Sequence, residues 1–269
     1  MATEVTTGGP HGDRDGVGGG SIGTGGVGSG TIEIGVLDEA DLGDWGKAVN
    51  NGFMRGRGDG GVEFRRLFFE PGRSLAARDR GRIVGTFRSM DREITVPGGA
   101  TVAAHAVTNV TVLATHRRRG LLTRMMTRDL AAAAGRGDAV SVLIAAEYQI
   151  YGRYGYGPAT GCTSYSIDRL RAGKVRVPAE AEHGSIELLG LEEWRELGPE
   201  LHDRYRRTRP GVIDRRPVEW RTRTGEALHP GRDWQEPLIA LYRDPAGTPA
   251  GILVYRSASG GPTTSPRAC

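Results

Sequence analysis

Cysteine is almost absent from this chain: Cys162 and Cys269 are the only two in 269 residues. Two such distant thiols, with no histidine spaced beside them as a ligand, build neither a zinc site nor a disulfide framework, so no metal is expected. Aromatic residues are also scarce, at 6%. Arginines and lysines outnumber carboxylates by only four. Such a small excess, without aromatics interleaved as a stacking platform, excludes an obvious nucleic-acid surface. No apolar run approaches the about 20 residues of a membrane span, and the N-terminus carries no apolar leader core. The composition therefore points to a reduced, cytoplasmic protein with neither a nucleic-acid nor a membrane partner.

Glycine, by contrast, is abundant, with 43 residues. Many fall in the first thirty positions, where little apolar surface is available to offset ordering entropy; residues 1–30 are expected to be a disordered tail. From Thr31 the pattern changes. Thr31-Ile-Glu-Ile-Gly-Val alternates as a strand does, and Asp38 is placed to cap a helix that begins with acidic residues. Ser74 to Ala77 and Arg82 to Met90 read as a hairpin around Arg78-Asp-Arg-Gly. After a turn at Pro97-Gly98-Gly99, Thr101 to Leu113 is a long β-branched strand. Arg117 to Gly135 reads as a helix with Leu122, Met126, Leu130 and Ala133 on one face, and Val140 to Ala145 as a short strand. The fold class is mixed α/β.

The beginning is echoed later. Ser185-Ile-Glu-Leu-Leu-Gly-Leu-Glu-Glu-Trp has the character of the segment at Thr31, and Pro237 to Tyr255 repeats the hairpin around Asp244-Pro-Ala-Gly. A helical stretch from Glu192 to Arg207, interrupted near Pro199, lies between them. The sequence predicts a unit over 31–171, a linker over 172–184, an incomplete second copy over 185–256, and a disordered tail over 257–269. The second copy is expected to stop before its own long strand and helix, leaving Ile239, Leu241, Ile252 and Val254 on uncovered sheet faces.

Val110-Thr-Val-Leu-Ala-Thr-His-Arg-Arg-Arg-Gly-Leu-Leu carries the chemistry. A strand runs into a turn, and the turn opens a helix. The first amides of a helix have no intrahelical partner and, with the dipole, form an anion site. Gly120 admits a phosphate close to the backbone, and the arginines add charge. The spacing matches neither the dinucleotide fingerprint nor the Walker loop. A solvated basic helix start is the bland alternative.

This string resembles the acetyl-CoA motif of GNAT acetyltransferases, with Leu122 replacing the usual small last residue. Together with Ile150-Tyr-Gly-Arg-Tyr-Gly-Tyr-Gly-Pro-Ala-Thr it resembles the Eis (enhanced intracellular survival) branch. The resemblance is detailed over Arg82 to Thr160 and looser to Tyr255. It implies a GNAT fold followed by an incomplete second GNAT-like unit. It implies N-acetyl transfer from acetyl-CoA to a primary amine of aminoglycoside, polyamine or lysine type, and a homo-hexamer for the full-length family.

Residue by residue, the resemblance implies that the backbone of Val110, Thr111 and Val112 lines the pantetheine arm. Arg118, Arg119, Gly120, Leu121, Leu122 and Thr123 cradle the pyrophosphate, and Ala146 and Glu147 touch the cofactor. Tyr151 matches the general acid: a phenol, with a reference pKa of about 10, stays protonated at neutral pH and can protonate a departing thiolate. The strand amide of Val112 can meet the oxyanion. The family's base is a distant C-terminal carboxylate on a sterol-carrier-like domain that this sequence does not include. Glu147 acting through a water is the substitute candidate, ahead of His116. The alternative function is an acetyl-CoA-binding module without efficient turnover.

Overall fold

The computed structural model describes residues 31–56, 58–161, 183–229 and 234–257, with the single positions 165, 167, 168 and 173. The two cysteines and nearly all of the expected tails and linker lie outside these residues.

The described chain begins with β1 (Glu33–Val36), then α1 (Leu42–Gly52) and the short α2 (Val62–Arg66). Strands β2 (Ser74–Asp79), β3 (Arg82–Thr95) and β4 (Thr101–Val112) follow, then α3 (Leu121–Arg136) and β5 (Val140–Leu143). They form one sheet in the order β1-β2-β3-β4-β5, antiparallel except for the parallel β4–β5 pair. Arg80 and Gly81 close the β2–β3 hairpin at φ 50° and 78°, as a two-residue turn with matching twist requires.

Alternation along β2 assigns the two faces. Leu75 and Ala77 pack with Val84, Phe87 and Val107 against Leu121, Met125 and Met126 of α3. Ala76 faces the other way, onto Leu42, Trp45 and Val49 of α1, where the Trp45 indole N–H donates to the Leu75 carbonyl at 3.0 Å.

A second, three-stranded antiparallel sheet is built from β6 (Ser185–Leu189), β7 (Leu238–Arg243) and β8 (Pro249–Tyr255). Helices α4 (Leu191–Arg207) and α5 (Pro217–Arg223) lie between β6 and β7 in the chain. Strand, two helices and hairpin thus recur in the order of β1 to β3, which makes the later segment a partial second sheet of the same topology.

Several expectations are corrected. Asp38 makes no side-chain cap; Glu39–Asp41 is a 3-10 turn, and α1 starts at Leu42. Strand β3 runs past Met90 to Thr95, because Asp91 to Thr95 pair with His105 to Thr101 of β4 across the turn; the 211–214 segment adds to that end, with Gly211 donating to the Thr95 carbonyl at 2.8 Å and Thr95 to the Val212 carbonyl at 3.1 Å. Helix α3 starts at Leu121 rather than Arg117, since Arg118 and Gly120 take φ of 63° and 70°, which no helix residue can. β5 ends at Leu143 rather than Ala145. α4 continues through Pro199 without a break, with Gly198 against the rings of Trp194 and Trp220.

The uncovered faces also differ. Ile239 and Leu241 are buried, Ile239 against the edge-to-face pair Trp194 and Trp220, whose centroids lie 5.3 Å apart. Val254, paired with Ile239, is exposed as expected; the other exposed apolar residues are mainly those of the opposite face, Ile186, Leu188, Leu238 and Leu253. α4 and α5 supply the cover that the sequence pattern assigned to a later strand and helix.

Candidate active site

β4 and β5 pair only from Ala104 with Val140 to Val107 with Leu143. From Thr108 to Val112 the edge of β4 away from β3 has no strand partner among the described residues. At the point of departure β4 carries one residue more than β3 between paired positions, and Asn109 has φ 52°. That bulge turns the strand. It is fixed by the Thr86 hydroxyl, which donates to the Asn109 carbonyl at 2.8 Å and shares a 2.8 Å bond with the Thr111 hydroxyl.

The gap opens into a cleft of about 390 Å³. Val110, Ala146 and Tyr151 line it; so do Phe53, Phe64, Phe68, Arg55, Arg65, Arg88 and His229, none of which the sequence reading selected. Tyr151 is half-buried and packs edge-on to Tyr156, centroid to centroid 6.1 Å. Burial, then the neighbouring Tyr156, Glu147 and Tyr154, push its phenol above the ordinary tyrosine range. The hydroxyl has no hydrogen bond among the described residues, so it is available to a ligand.

Arg118, Arg119, Gly120 and Thr123 are exposed around the N-terminus of α3, while Leu121 and Leu122 turn into the core. Gly120 is the residue before the helix, in the left-handed region where glycine costs least, and a Cβ built there meets nothing within 4 Å. This turn is tied to the tyrosine segment by a 2.9 Å bond between the hydroxyls of Thr123 and Tyr154. The motif turn and Tyr151 therefore belong to one connected surface. Thr111 is held inside at Thr86, and Val112 packs on the α3-side core.

The two base candidates fare differently. Glu147 is exposed and is not among the residues lining the cleft. His116 is engaged on both ring nitrogens, by Thr115 at 2.8 Å and Asp79 at 3.0 Å, in the 3-10 turn before α3. His229, brought in by the segment after α5 and stacked edge-on at 4.8 Å to Phe64, is the imidazole that reaches the cleft.

Residues 33–159 match a family model described as an acetyltransferase (GNAT) domain. They are a GNAT acetyltransferase domain. An uncharacterised N-acetyltransferase of Streptomyces avermitilis is 48% identical over 227 residues, which cover 83% of this chain and 54% of that protein. The N-acetyltransferase Eis of Mycobacterium tuberculosis is 35% identical over 180 residues, 65% of this chain and 42% of Eis. The crystal structure of Eis1 from Mycobacterium abscessus superposes with a TM-score of 0.64 at 32% identity, covering 80% of this chain and 52% of that one. The chain spans about half the length of these relatives. The mixed α/β GNAT fold and the likeness to Eis proteins stand together: the open β4 edge and the left-handed Gly120 before α3 lie inside the matched domain.

Proposed function

We propose that this GNAT domain transfers an acetyl group from acetyl-CoA to a primary amine. The observation that carries the reading is the unpaired edge of β4, flanked by the α3 N-terminus and facing a cleft that holds Tyr151. The residues present fit the donor: the backbone of β4 at Val110 and Val112, on either side of Thr111, which pairs with Thr86 of β3, suits an amide-bearing arm. The exposed turn Arg118 to Thr123 offers helix amides and guanidinium groups to phosphates. Acetyl-CoA would supply the activated thioester.

The chain's own groups then have separate tasks. The Val112 amide is the oxyanion donor in this reading. Tyr151 holds a proton on its phenolic oxygen for the leaving sulfur. His229, the imidazole that lines the cleft, is the candidate base in this reading. Coenzyme A titration followed by a thiol-release assay with amines tests the reading. Absence of coenzyme A binding would overturn it. Binding without release of thiol would instead identify a binding module.

The position of the phosphates has its own test. Gly120→Asn and Gly120→Asp introduce side chains of equal size, both tolerant of the left-handed region. The aspartate adds a negative charge beside the helix N-terminus. Coenzyme A affinity is expected to fall at least about tenfold further for Gly120→Asp than for Gly120→Asn, a like-charge effect of about 1.4 kcal/mol. Equal affinities, measured calorimetrically on folded variants, would place the phosphates elsewhere.

A further inference from the structure

The cleft beside Tyr151 is cationic. Arg55, Arg65 and Arg88 line it, and no carboxylate does among the described residues. The adjoining space adds Asp59, whose Oδ1 is occupied by the Gly61 amide at 2.7 Å. Arg65 is committed to the protein: its Nε donates to the Gly60 carbonyl at 2.6 Å and an Nη to Asn50 Oδ1 at 3.1 Å.

Arg88 is not. Elsewhere in the fold several buried or half-buried arginines pair with acids: Arg92 with Glu219, Arg206 with Glu93 and Asp203, Arg216 with Glu70. Arg88 makes no ion pair or hydrogen bond among the described residues, and its buried Nε has no partner. It lies over the Phe68 ring at 5.5 Å. Burial first, then Arg216, push its pKa down to about 10 against the opposing pull of Glu70, which is itself paired with Arg216; Arg88 remains charged at neutral pH with no carboxylate bonded to it. A buried donor left unsatisfied is costly, and such groups are kept where something else satisfies them.

We propose that the acceptor of this cleft is an amine bearing an acidic group on a flat apolar body, with the acid bound by Arg88 and Arg55. The inference rests on reading the cleft as the acceptor site. A planar guanidinium meets a carboxylate through two parallel bonds, and Phe53, Phe64 and Phe68 supply surface for a flat ring. The volume of about 390 Å³ accommodates a small molecule. Polycationic amines, which the family resemblance implies, would meet three guanidinium groups of like charge. The same positive field favours the neutral form of the reacting amine, because a like charge nearby lowers an ammonium pKa.

The test uses two isosteric probes, 4-(aminomethyl)benzoate and 4-(aminomethyl)benzamide, with spermidine as the polycation. Each is titrated against the whole chain with and without saturating coenzyme A, so binding is read independently of turnover. The benzoate is expected to bind about 10- to 100-fold more tightly than the benzamide, as an ionic hydrogen-bonded pair would. Spermidine is expected to bind more weakly than either. Arg88→Gln should bring the benzoate-to-benzamide ratio near one, and Arg55→Gln, at an exposed position, should reduce it with little risk to folding. Equal binding of the two probes, tighter binding of spermidine, or a ratio unchanged in both variants would overturn the proposal. A chain that prefers the benzoate yet neither binds coenzyme A nor releases thiol would retain the acid site while removing the acetyltransferase reading.

Discussion

Replacing Tyr151 with phenylalanine is expected to lower kcat by about 10²–10⁴-fold, the usual worth of a positioned general acid, with coenzyme A affinity nearly unchanged. The substitution removes one oxygen and keeps the ring that packs on the α3-side core and on Tyr156. Its hydroxyl makes no hydrogen bond among the described residues, so the folded state loses little. Stability and rate should therefore separate. The phenol lies above its ordinary range because burial and neighbouring Tyr156, Glu147 and Tyr154 all disfavour the phenolate. An acid whose pKa is raised keeps its proton to higher pH. The rate should consequently show no loss from Tyr151 ionisation between about pH 7 and 9, and any decline it causes should come above the normal tyrosine value of about 10. An undiminished kcat for Tyr151→Phe, with chemistry limiting turnover, would remove this residue from the mechanism.

Asp129→Ala is expected to cost about 2–4 kcal/mol of folding stability, because it leaves buried hydrogen-bonding groups without their partner. Asp129 is 4% exposed on the core face of α3. It accepts the Ser89 hydroxyl at 3.0 Å and binds Nε2 of the fully buried His105. The other ring nitrogen of His105 meets Ser141 at 2.8 Å, and Ser141 meets the Tyr156 hydroxyl at 2.5 Å. The chain of polar contacts crosses from α3 through β4 and β5 to the tyrosine segment. Truncating the carboxylate leaves His105 and Ser89 buried with unmatched groups. Against a total domain stability of about 5–15 kcal/mol, that loss should appear as a large drop in the denaturant midpoint. The double variant with His105→Ala should cost less than the sum of the singles, because the two share one interaction. A loss below about 1 kcal/mol, or strict additivity, would show that the pair contributes little net energy.

Much of this architecture was legible because it rests on local rules. The β-branched run from Thr101, the glycine turns and the apolar spacing of α3 place the elements to within a few residues, and the repeated order of strand, helices and hairpin announces the second sheet. Some failures were local, such as the Asp38 cap and the start of α3, and others depended on long-range pairing. The outer edge of the β3 end is met by residues 211–214, which no local pattern encodes. Asn109 interrupts a β-branched run and could have flagged the bulge, since asparagine tolerates positive φ. Asp129 falls on the same helical face as Met126 and Ala133, a polar residue in an apolar stripe, and its partner His105 sits in the strand below. That conflict was a readable sign of a buried pair. Arg88 alternates away from Phe87 and Ser89, so strand periodicity gives its face but not the want of a counter-ion. His229 lies 78 positions beyond Tyr151 in the chain and reaches the cleft only through tertiary structure. The residues that line the cleft are thus drawn from distant elements, whereas the strand-turn-helix segment from Val110 to Thr123 is continuous.

The four paired positions shared by β4 and β5 have a thermodynamic consequence. In the proposed reading, a donor lying along the free edge would supply contacts that a longer β5 would have made, and only in the folded state. Folding and donor binding are then linked equilibria: at a concentration one hundred times Kd, the donor adds about 2.7 kcal/mol to stability. A protein built this way carries part of its sheet in solution. Its lifetime against proteases would rise and fall with the supply of acyl donor, so that the abundance of the enzyme, and not only its rate, would report on that supply.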